Sequence, residues 1–333
     1  MVSREMNDPS RSVCDSMIWS VVCLAHNQPD DNLSSVQKTP FTAWMSRLQW
    51  LDIYGSLKPN LMHIKGLIQM VNLRGGLDKI GLPGLAAVIS FSDIVTSSTF
   101  LLSPVFPFVP LREDRKDKTL QELLGYTSTL VDQYSSHFQR LGLPIQLADI
   151  ICAMNTFTEL VERFKDERNC DPCLLSDQRN ACQHALLSLC SVNQEIGKTL
   201  LSPYETTYEA CRLACLVYGV GVILPLPGQS TPLGRLANLI QGVLESSNSY
   251  AIWNGEQPEA ALLWVLMLGG IAAEGFPNRF WYVEKLQKVI SRSKIVSWPN
   301  MCRVLGSIAW WPSACSKPGH DLWVEVEILR GVF

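Results

Sequence analysis

The sequence predicts an all-α protein, a large irregular helical bundle of roughly a dozen or more helices forming a single compact domain over residues 1–333. Three observations carry this expectation. Apolar residues recur at the i, i+3, i+4, i+7 spacing of a helix face along most of the chain. Alternation of the strand type is nearly absent. The chain is 47% hydrophobic and 18% charged, so much of it must be interior, and its 333 residues suffice to close a substantial core.

The first helix is expected from Val13 to Ala25, where Val13, Met17, Val21 and Leu24 share one face before the polar run from His26 to Asn32. A second apolar segment covers Phe41 to Tyr54 and closes at Gly55 and Lys58-Pro59. Next, Ile64, Leu67, Ile68 and Val71 define a helix stopped by Gly75-Gly76. Leu85 to Ser98 follows the Leu82-Pro83-Gly84 break. Residues 103–118 combine three prolines with the mixed charges of Arg112, Glu113, Asp114, Arg115, Lys116, Asp117 and Lys118, which predicts an exposed, solvated loop. Helical patterns resume at Leu120 to Leu141 and Leu147 to Phe164, and a polar turn at 167–173 leads into Gln183 to Leu201. The C-terminal third carries Tyr208 to Leu224, Glu259 to Glu274, Trp281 to Ile290 and Pro299 to Ala309, the last with Ser297 and Pro299 as start signals. The closing run from Trp323 to Leu329 is readable as strand or helix.

Composition removes several function classes. A net charge of -3 supplies no field for phosphate, so direct nucleic-acid contact is not expected. The longest uncharged runs, Ala260 to Ala273, Leu213 to Leu226 and Ile94 to Leu111, are too short or broken by proline, and no membrane role is implied. The N-terminus shows no apolar stretch of the signal-peptide type. Eleven cysteines, several inside apolar helical patterns, fit free thiols in a reducing compartment.

Catalytic and metal chemistry is equally thin. Cys170, Cys173, Cys182, His184 and Cys190 come nearest to a zinc site, but the second C-x2-C that a ribbon needs is missing, so they read as structural thiols and no metal is expected. Histidines 26, 63, 137, 184 and 320 are scattered, no G-x-S-x-G elbow occurs, and no catalytic residue is assigned. Gly219-Val220-Gly221 lacks the lysine and third glycine of a phosphate loop and reads as helix packing, so no cofactor is expected. Most of the ten tryptophans, Trp264 among them, fall beside apolar periodic positions and belong to the core, although such aromatics also line small-molecule cavities.

Four blocks carry a resemblance. They are His63-x2-Gly66-Leu67-x2-Met70-Val71-x2-Arg74-Gly75-Gly76-Leu77, the run Tyr208 to Tyr218, Leu262-Leu263-Trp264-x3-Leu268-Gly269-Gly270-x-Ala272-Ala273, and Trp281 through Trp310-Trp311-Pro312 to Leu322-Trp323-x-Glu325-Val326. Together with Met17 to His26, their order resembles the regulatory region of fungal-specific transcription factors of the zinc binuclear cluster type. The resemblance implies an all-helical regulatory module, nuclear, acting through protein partners or as a homodimer, sometimes with a small-molecule effector, and found near secondary-metabolite or nutrient genes. The family's six-cysteine cluster and basic segment have no counterpart in this sequence, which leaves a truncated regulator or a cluster-less relative, cytoplasmic or nuclear. An enzyme or small-molecule binder of secondary metabolism on the same scaffold is the alternative. His63, Arg74, Arg212 and Trp264 are the candidate pocket or buried polar residues. Arg74 is placed to bond the last carbonyls of its helix, and Arg212 to pair with Glu209 or Asp321.

Overall fold

The computed structural model describes residues 13–26, 39–42, 44–138, 141–165, 171–192, 201–228, 230–246, 253–254, 256–293 and 295–331. Among these lie fourteen α-helices and no β-sheet, so the all-α class holds. In chain order they are α1 Asp15–Ala25, α2 Leu51–Tyr54, α3 Leu61–Arg74, α4 Leu85–Phe100, α5 Leu120–Leu124, α6 Ser128–Phe138, α7 Ile145–Phe164, α8 Pro172–Leu187, α9 Pro203–Tyr218, α10 Leu233–Ser246, α11 Glu256–Ala272, α12 Arg279–Ile290, α13 Trp298–Gly306 and α14 Pro312–Leu329.

Several starts and stops follow from local chemistry. Asn60 accepts the backbone N–H groups of Met62 and His63 and so opens α3, while Gly75, at φ +97°, closes it in the left-handed region where a side chain would be strained. Ser202 and Glu205 form a capping box at α9, with Pro203 at the first helical position. Thr119 and Glu122 repeat that device at α5.

The core is organised around α11, whose residues from Ala261 to Ala272 are all buried. Helices α9, α10, α12, α13 and α14 pack against it. Burial on every side requires an apolar surface all round, and the uncharged run from Ala260 to Ala273 supplies it. A Cβ on Gly269 would meet the Tyr282 ring at 2.5 Å, and one on Gly270 would meet Leu322 at 2.5 Å, so the paired glycines let α12 and α14 close on α11. Two of the polar side chains at this depth bond to backbone carbonyls: Trp264 Nε1 donates to the Ala309 carbonyl at 2.7 Å and Tyr282 Oη to the Ala237 carbonyl at 2.6 Å. A smaller apolar cluster joins α1, α3 and α4 through Ile18, Val22, Leu67, Val71 and Ile89.

The structure corrects several expected boundaries. The helix expected from Gln183 begins at Pro172, because Asp171 caps it by accepting the Cys173 N–H and proline fixes its first turn; residues 193–200 of that expectation lie outside those described. The segment Leu120 to Leu141 is two helices, divided at Gly125 with φ +79°. Phe41 to Tyr54 yields only a 3-10 turn and the single-turn α2, with Gln49 and Trp50 at φ +54° and +58°. Beyond Tyr218 the chain continues as one π-helical turn, Gly219–Ile223. The closing run is part of α14, with Leu322, Trp323 and Val326 buried at helical spacing. Helix α10, to which the apolar pattern above assigned no element, is fully formed on Leu233, Leu236, Ala237, Ile240, Val243 and Leu244.

The loop 103–118 is exposed only in part. Phe106, Pro110 and Arg115 are buried. Asp93 accepts the Val105 and Phe106 N–H groups at 2.7 and 2.8 Å, Ser90 Oγ accepts from Val109, and Asp177 accepts from Leu111 at 2.7 Å. Arg115, expected to be matched within its own loop, instead reaches Asp177 at 2.9 Å and Asp171 at 2.8 Å on α8. Buried backbone donors need acceptors, and the carboxylates of α4 and α8 draw the segment inward to supply them.

Candidate functional site

The described residues enclose a cleft of about 180 Å³ where the C-terminal ends of α4 and α8 meet α9 and α10. Its apolar walls include Leu101, Leu187, Leu213 and Leu239, and its polar groups are Glu209, Arg212, Arg235, Ser103 and Ser191. Leu101 ends α4 at φ +57°, which turns the chain across the mouth.

Glu209 and Arg212 stand one helical turn apart on α9. Their contact is bidentate: Arg212 Nε and Nη2 donate to Glu209 Oε2 and Oε1 at 2.8 and 2.7 Å. Both side chains are buried. The Glu209 carboxylate also accepts from Ser191 Oγ at 2.9 Å and from the Val192 N–H at 3.3 Å. Burial works against the Arg212 charge, and the Glu209 hydrogen bonds and charge outweigh it, so its pKa lies above the ordinary value. The Glu209 carboxylate thus holds four donors.

Arg235 differs. It is exposed in the first turn of α10 and donates through Nη1 to the Phe100 carbonyl at 3.0 Å. A cation in a first turn opposes the helix dipole. The sequence therefore spends a positive charge where local electrostatics disfavour it.

The four residues named from sequence do not converge. Arg212 lines the cleft and takes Glu209 as its partner, leaving Asp321 exposed elsewhere. Arg74 donates through Nε to the Lys79 carbonyl beyond its helix and pairs with Asp15 of α1 at 3.3 Å, which corrects the expected bonds to its own helix end. Its helix already has Gly75 and Gly76 to satisfy those carbonyls. His63 is half-buried near the start of α3, and Trp264 is wholly buried in the core; neither lines the cleft.

The cysteine and histidine cluster is likewise spread over separate surroundings. His184 Nε2 bonds the Phe106 carbonyl at 2.9 Å, Cys182 is buried with its thiol pushed well up by burial, and Cys173 and Cys190 are exposed. Cys170 lies outside the described residues. Among those described, no group of three or more His, Cys, Asp or Glu side chains is placed to hold a metal, and no helix is long and apolar enough to cross a membrane. Sequence reasoning overlooked Arg235, Leu239, Leu187 and Ser191; the available signal was the lone cation opening the α10 stripe. No family model, curated protein or solved structure matches the chain.

Proposed function

We propose that the chain is a transcription-regulatory or interaction module of the fungal-specific transcription factor type, working through protein partners in the nucleus and responding to a small effector. One observation supports this reading above others. The segments that carry the resemblance fall in α1, α3, α9, α11 and α12 to α14, and of these α9, α11, α12, α13 and α14 form one contiguous packed core. The blocks in those five helices are distant in sequence and meet in space, as the parts of one module would.

Contact with DNA is not assigned to these 333 residues, since they carry neither a six-cysteine cluster nor an excess of positive charge. The alternative of a small-molecule binder draws support from the cleft.

Chromatin immunoprecipitation of the tagged chain from a filamentous fungus tests the reading. Enrichment at discrete promoters is expected, together with no mobility shift of those fragments by the purified chain at physiological salt. Uniform background across the genome would refute it.

A further inference from the structure

We propose that the cleft between α9 and α10 is a binding site for a small aliphatic carboxylate, with Arg235 as its anion-binding group and the leucines as the bed for its hydrocarbon tail. The proposal deepens the effector reading, and it concerns binding alone, so it can fail or stand apart from any role in transcription.

Charge comes first. Arg212 and Glu209 neutralise each other in a bidentate pair, and Glu209 is further occupied by Ser191 and Val192. Arg235 is the remaining charge among the residues lining the cleft. One of its nitrogens is held by the Phe100 carbonyl, which orients the guanidinium, and no carboxylate partner occurs for it among the described residues. The N-terminus of α10 adds a positive partial charge beside it. A guanidinium offers paired donors that match a carboxylate or another planar anion.

Shape decides which anion. The volume is about 180 Å³. Nucleotides and drug-sized ligands, which occupy pockets of roughly 300–1,000 Å³, are too large. Seven leucines line it, of which Leu187, Leu213 and Leu216 are buried and Leu101, Leu102, Leu189 and Leu239 keep surface open to solvent. Inorganic phosphate would leave the open surface of Leu101, Leu102, Leu189 and Leu239 facing water, whereas a short hydrocarbon tail would cover it. The chemistry that fits both ends is a carboxylate on a compact aliphatic body.

Titration calorimetry of the purified chain with hexanoate tests this, with hexan-1-ol and inorganic phosphate as the neutral and the tail-less probes. Hexanoate is expected to bind one to one with Kd on the order of 1 mM or tighter. Hexan-1-ol and phosphate should each bind about tenfold more weakly or not at all. Arg235→Gln, at an exposed position that threatens no core contact, should weaken hexanoate about tenfold, and Arg235→Lys should keep most of the affinity because the charge remains. Leu239→Trp should block binding by filling the cleft while the far-ultraviolet dichroism stays helical. Absence of hexanoate binding, binding unchanged in Arg235→Gln, or equal affinity for hexan-1-ol would each overturn the proposal. A chain that binds hexanoate yet shows no promoter enrichment removes the regulatory reading and leaves the cleft assigned; promoter enrichment without hexanoate binding removes only the cleft.

Discussion

His26 sits at the end of α1 with 3% of its surface exposed, its Nε2 against Ser92 Oγ and its ring edge-on to Tyr54. Its Nδ1 is buried with no partner among the described residues. Burial lowers its pKa from 6.5 to about 4, because a protonated ring there would lose its hydration. A folded-state pKa below the unfolded one means that the unfolded chain takes up the proton first. The stabilising contribution is thus complete above pH 6.5, falls as pH drops from 6.5 to about 4, and changes no further below. Between pH 7 and pH 5 the wild type should lose roughly 2 kcal/mol of unfolding free energy that His26→Gln does not lose. Urea denaturation of both proteins at the two pH values measures the difference. Parallel pH dependence in the two would contradict the assignment. Arg179 is the converse case, a wholly buried guanidinium whose hydrogen bonds run to the Leu48 carbonyl, Gln49 Oε1 and Asn180 Oδ1, with no carboxylate among them. Burial brings its pKa down to about 9, so it remains charged at neutral pH and ties the left-handed Gln49 and Trp50 turn to α8.

At the level of helices, close approach and open space can be told apart glycine by glycine. Gly269→Ala drives a methyl to 2.5 Å from the Tyr282 ring and should cost about 2 kcal/mol through overpacking of α11 against α12. Gly242 lies exposed within α10, where an added Cβ meets nothing within 4 Å. Gly242→Ala should therefore stabilise by about 0.5–1 kcal/mol, since alanine loses less backbone freedom in a helix. Chemical denaturation midpoints of the two variants should move in opposite directions. Movement in the same direction would mean that α11 and α12 are not packed as described. The helices themselves were readable where one face is apolar, as in α1, α3, α4 and α7, or where the whole surface is, as in α11. They were misread where the physics is not periodic apolarity. Helix α8 buries Asp177, Gln178, Arg179, Asn180 and Gln183, each held by polar partners from other segments, so its first half carries no apolar stripe to detect. The break at Gly125 is a local stop that the apolar pattern overrode, a left-handed glycine closing α5, whereas the shift to a π turn at Gly219 depends on its close neighbours Gln183 and Leu186.

Across the whole molecule, the cleft was the least legible feature. Arg212 was identifiable as a buried ion, and its choice of Glu209 over Asp321 follows from the one-turn spacing on α9. Arg235, Leu101, Leu187 and Leu239 come from three other helices or their ends, and only the packing of α4, α8, α9 and α10 brings them together. The fold class was legible because it depends on the sum of many local patterns, whereas a site depends on a few residues distant in sequence. The regulatory reading concerns the chain as one unit acting on transcription, and tethering is its most direct test. The whole chain is fused to an unrelated DNA-binding domain in a fungal host, and expression of a reporter bearing that domain's sites is compared with expression under the DNA-binding domain alone at matched protein levels. A change of several-fold in either direction is expected; a reporter that stays at the level of the bare DNA-binding domain, with the fusion folded and nuclear, would contradict the assignment.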